Sequence, residues 1–126
     1  MLALFSTLTV DGSDLPALSK AVAACDRPAV ARSVEGETKR HGAFLVDSFR
    51  EQGEVAAVRV DLAERRRALR VGDKTVDTDA SLGLLAQTLD DRQRALDDAR
   101  NLDRMKQDAL GWFRQQFIIQ CQGKSA

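Results

Sequence analysis

Residues 79–122, DASLGLLAQTLDDRQRALDDARNLDRMKQDALGWFRQQFIIQCQ, decide the fold. The stretch has no proline and one internal glycine past its start, Gly111. Leu, Ala, Arg and Gln lose little rotamer freedom in a helix, so local propensity predicts one long helix. At 1.5 Å per residue it extends about 60 Å, twice the width of a small domain. Such a helix needs a second long element or another protein beside it.

On this helix Leu82, Leu85, Leu89 and Leu96 form a seam of near-heptad spacing. Arg92 and Asp103 dilute it before it shifts through Leu102, Met105, Leu110 and Phe113. Acid-before-base pairs (Asp90 with Arg94, Asp97 with Arg100, Asp103 with Lys106) suit an exposed face, each contributing only about 0.2–0.5 kcal/mol. Near its end Trp112, Phe113, Phe117, Ile118 and Ile119 cover more than half the circumference, broader than one neighbouring helix needs. The partner-binding residues expected are therefore Leu82, Leu85, Leu89, Leu96, Trp112, Phe113, Phe117 and Ile118.

Upstream, Thr78 or Asp79 caps the long helix and residues 72–79 are the clearest break in the chain. Ser13 or Asp14, with Pro16, starts a short helix ending near Ala24 or Cys25; Asp26 and Pro28 start the next. Val30, Val34, His41, Leu45 and Phe49, with Phe44 beside them, mark its apolar face, and Arg32, Glu35, Glu37, Lys39 and Arg40 its charged one. Gly53 is the expected interruption. Val55, Val58, Leu62 and Leu69 continue the seam, with Arg65 where an apolar residue would fall. Over 55–76 helix is the preferred reading. A short β-hairpin is the rival, because residues 58–62 alternate and Gly72-Asp73 is a hairpin turn pair.

The fold expected is all-α: an elongated antiparallel helical hairpin or small bundle, one domain over 1–126. With the fold-back centred on residue 75, Val34 lies opposite residue 116. Leu2, Leu4, Phe5, Leu15, Leu18 and Val22 then cover the aromatic end.

The chain balances 19 Lys and Arg against 19 Asp and Glu, which gives no global drive toward nucleic acid or anionic membrane. The apolar run at 1–10 lacks a basic leader and is too short to span a bilayer. Cys25 and Cys121 are far apart in sequence. One bridge between the chain ends is conceivable, but idle thiols in a reducing cytoplasm are the preferred reading.

Chemistry is sparse. His41 is the only histidine and reads as a packed core residue. Residues 72–75, Gly-Asp-Lys-Thr, lack the adjacent Gly-Lys of a phosphate loop, and Asp73, Asp77 and Asp79 lack calcium-loop spacing. No enzyme, metal or cofactor is expected. Arg65, Arg66, Arg67 and Arg70 form the one basic cluster, read as a solvated face or an electrostatic contact.

In architecture the chain is similar to the small cytoplasmic helical chaperones and adaptors of bacterial type III or flagellar export, a likeness of shape alone. The function expected is a non-enzymatic interaction protein (chaperone, adaptor or assembly factor) binding another protein or a second copy through the long helix. The alternative is a nucleic-acid-binding regulator using the arginine cluster.

Overall fold

The computed structural model describes residues 14–123. The apolar segment 1–10 and Ser13 lie outside them. Three helices account for nearly all the rest: α1 (Leu15–Ala23), α2 (Arg27–Arg70) and α3 (Asp79–Gln120). Among the described residues there is no strand.

The helix boundaries follow from local chemistry. Pro16 and Pro28 stand in the first turns of α1 and α2, where a missing N–H costs nothing. Asp26 caps α2 by accepting from Ala29 N at 3.2 Å. Thr78 and Ser81 form a reciprocal capping box at the start of α3. The close of α2 explains why Gly72-Asp73 resembled a hairpin turn. Gly72 takes a left-handed φ of 81°, and Asp73 N donates back to Ala68 O at 3.0 Å, which is a glycine-terminated helix end. The residues that could have made a β-hairpin over 55–76 are instead the last turns of α2 and its cap.

Gly53 does not interrupt α2, which runs for 44 residues, about 66 Å. Its glycine cost, about 1 kcal/mol, is small against the packing on either side.

Helices α2 and α3 run antiparallel. Arg40 meets Asp103 and Arg92 meets Glu51, pairs whose residue numbers add to the same total, 143. That register sets Val34 level with residue 109 rather than 116, because residues 71–78 form an asymmetric loop and α2 overruns the start of α3. Asp77 in the loop folds back to within 3.7 Å of Arg65.

The seam has two apolar ends and an ionic middle. Leu18, Ala21, Val22, Val30 and Leu110 form one cluster, with Leu15, Val34, Phe113 and Phe117 against it. Val55, Leu62, Leu82 and Leu89 form the other. Between them Glu37, Arg40, Ser48, Glu51, Arg92 and Asp103 are buried, along with Phe44 and Leu96. This turns α2 away from the orientation its apolar residues suggested. Arg40 and Glu37 face inward, whereas Leu45 and Phe49 face outward, Phe49 being 71% exposed. Two sets of paired charges flank Phe44 and Leu96 at the centre of the interface.

Cys25 and Cys121 form a disulfide with a Cα separation of 5.5 Å, closing α1 onto the end of α3. This corrects the reading of both as idle thiols. The antiparallel helices bring the turn after α1 to the end of α3, so a sequence separation of 96 becomes a spatial contact. Cys25 is in the left-handed region, at φ 51°, in the turn between α1 and α2. That conformation is unusual for a residue with a side chain, and the cross-link and the Asp26 N to Ala21 O hydrogen bond hold it there.

Candidate functional site

Two ionic clusters hold the middle of the seam. In the first, Arg40 Nε lies 2.6 Å from Glu37 Oε1 and its Nη2 lies 2.8 Å from Asp103 Oδ1. Asp103 Oδ2 is 2.8 Å from His41 Nδ1. Burial acts to lower the Arg40 pKa, but hydrogen bonds to Asp103 and Glu37 outweigh it and hold the guanidinium above its ordinary value. In the second, Arg92 reaches Glu51 at 2.5 Å and Glu54 at 3.4 Å. The Glu51 hydrogen bond raises the Arg92 pKa more than burial lowers it. Each cluster pairs carboxylate and guanidinium, so its chemistry is to hold two helices in register.

His41 is half-buried at the rim of the seam rather than packed in the core. Among the described residues no nucleophile hydrogen-bonds its ring, and no group of His, Cys, Asp and Glu could hold a metal ion.

The leucines expected to bind a partner are placed differently from the aromatics. Leu82, Leu89 and Leu96 are buried against α2 and Leu85 is half-buried beside them. They are core. Phe113 and Phe117 are also partly covered, packing on the α1 end of the core, with the Arg27 guanidinium 5.2 Å above the Phe117 ring. Trp112 is 75% exposed and Ile118 and Ile119 are each 68% exposed. The aromatic end is therefore divided, one side in the core and the other bare.

The bare side has helical order. Leu102, Met105, Trp112, Gln116 and Ile119 are exposed along α3, and half-buried Ala109 completes their steps of three and four. Shallow hollows open beside Trp112. One of about 470 Å³ is lined by Trp112, Gln115, Gln116, Ile119 and Gln120. Another of about 450 Å³ is lined by Gln107, Asp108, Gly111, Trp112 and Gln115. Gln107 Nε2 is shielded from solvent yet has no hydrogen-bond partner.

The arginine cluster sits at the overrunning tip of α2. Arg65 is engaged by Asp61 at 3.1 Å and Asp77 at 3.7 Å, while Arg66, Arg67 and Arg70 are exposed. Its charge is partly neutralised in place.

Sequence reasoning missed the ionic seam because it followed apolar residues alone. A signal was available: Arg92 and Asp103, which break the leucine seam, stand eleven residues apart, as do Arg40 and Glu51. Opposite charges at matched intervals on two antiparallel helices must meet.

No helix of the described residues is long and apolar enough to cross a membrane. Comparison with family models, curated proteins and solved structures finds no match for this chain.

Proposed function

We propose that this chain is a non-enzymatic helical interaction protein, an adaptor, chaperone or assembly factor, that binds an amphipathic helix of a partner protein along the outer face of α3. The observation that carries this reading is the exposure of Trp112 within a stripe of three- and four-residue steps from Leu102 to Ile119. Such a stripe accepts the complementary ridge of another helix. Aromatic residues with a rim of polar groups are the usual anchors of protein interfaces.

The disulfide also bears on the compartment. Cross-links of this kind persist in oxidising surroundings, so we place the protein outside the reducing cytoplasm.

Photo-crosslinking tests the binding reading. A photoreactive residue at Trp112 or Met105, introduced in the cells that make the protein, traps one and the same partner from both positions. A control in the loop at Val76, itself exposed, does not. Adducts equal to the control, or none, overturn the reading.

A further inference from the structure

The outer face of α2, opposite the seam, carries a second apolar stripe. Gly42, Val46, Phe49, Gly53, Ala56 and Val60 are all exposed and follow steps of four, three, four, three and four. Val46, Phe49 and Val60 are among the most exposed large apolar residues of the helix. The two glycines have no packing role within one chain: a Cβ added at Gly42 or Gly53 meets nothing within 4 Å. Each nevertheless costs helix stability, about 1 kcal/mol relative to alanine.

We infer that this face is the interface of an antiparallel homodimer, two copies of α2 crossing at the level of residue 51. The face is complementary to itself. About a twofold axis there, Phe49 faces Gly53 of the second copy, Val46 faces Ala56 and Gly42 faces Val60. Every large side chain meets a small one, and the symmetry makes six such layers. Sliding by one heptad either way sets Val46 or Val60 against Phe49 and leaves glycine facing a small residue. A parallel pair sets Phe49 against Phe49 and Gly53 against Gly53. Only the antiparallel register centred at 51 fills each layer.

Charge agrees with the same register. Beyond the apolar layers, Glu35 comes level with Arg67 of the second copy, and Lys39 with Ala63 and its neighbour Glu64. Both pairs are opposite in sign, and each occurs twice. Arg50 lies close to its own symmetry mate near the axis, where Asp47, 3.4 Å from it in the same chain, offsets the repulsion. The face is separate from the α3 stripe, so this inference does not rest on the binding reading above.

Thiol cross-linking at chosen positions tests it, with solution mass measured by light scattering on the full chain. The native disulfide occupies Cys25 and Cys121, leaving an introduced cysteine as the reactive thiol. With a short bis-maleimide, Arg50→Cys links to itself. Arg67→Cys does not, because its symmetry mate lies about 48 Å away along the helix. Glu35→Cys mixed with Arg67→Cys links again. Phe49→Glu weakens the dimer by about thirtyfold or more, as a central anchor does, while helix content is kept. Gly53→Leu raises the thermal stability of the dilute single chain and weakens the dimer, which a purely structural glycine would not do. Self-linking of Arg67→Cys as efficient as that of Arg50→Cys indicates a parallel pair and overturns the proposal. A monomeric mass at high concentration, or a dimer indifferent to Phe49→Glu, overturns it too.

Discussion

Arg92, on α3, is buried across the seam from Glu51, on α2, with its Nη2 2.5 Å from Glu51 Oε1. The pair sits in the seam between two long helices, at a level where an apolar contact would otherwise be needed. Removing one member strands the other without water. Arg92→Leu should therefore destabilise the fold by about 3–5 kcal/mol, whereas Arg92→Leu with Glu51→Leu should recover most of that loss. Urea denaturation of the singles and the double variant checks this. A double variant as unstable as the sum of the singles would show that the two residues act separately.

The guanidinium pKa values extend this to pH. Both Arg40 and Arg92 are raised above their ordinary value, so the folded state holds its protons more tightly than the unfolded chain. Stability from a raised group is fully present below the unfolded pKa and is lost only as pH climbs through the folded one. Titration of these two arginines should thus remove nothing between neutral and mildly alkaline pH. Comparing the urea midpoint of the native chain with that of the Arg92→Leu variant across that range reads the contribution of Arg92. A gap that closes in mildly alkaline buffer would contradict it.

Cutting the Cys25–Cys121 bridge should cost about 2–5 kcal/mol, since the loop it closes spans most of the chain. A thermal melt with and without reductant reads this directly. Unchanged melting, together with two thiols titratable in the folded purified protein, would show that the bridge does not form.

The cap at Thr78 offers a local test of where α3 begins. Thr78→Ala should lose about 1 kcal/mol by freeing the Ser81 amide. By contrast, Gly83→Ala should gain about 1 kcal/mol, because the added methyl meets open space. Both are read from thermal unfolding, and opposite signs are required.

Propensity made the helices legible. Asp26, Thr78, Pro16 and Pro28 announce starts, and the Leu82–Leu96 seam announces a buried side. The orientation of α2 was not legible from apolar periodicity, because it carries two apolar stripes. One, through Val30, Phe44, Val55 and Leu62, is completed by buried Glu37, Arg40 and Glu51; the other, through Val46 and Phe49, is bare. Counting apolar residues mixes the two. The bridge was legible as an alternative, because an antiparallel hairpin brings residues 25 and 121 together; the expectation of a reducing cytoplasm, not the register, set it aside. At the α3 end Trp112 and Phe113 are sequence neighbours with opposite fates, decided by which side α1 occupies.

Trp112 is the only tryptophan, so its fluorescence reports the proposed α3 face with no competing signal. The most direct measurement is its emission and acrylamide quenching in the purified full chain at low concentration. An open α3 face gives emission typical of water-exposed indole, quenching close to that of free tryptophan, and no change in Phe49→Glu. A short-wavelength, quencher-protected emission from a monomer would mean that the chain covers this face itself, and would contradict its role as a surface held open for a partner helix.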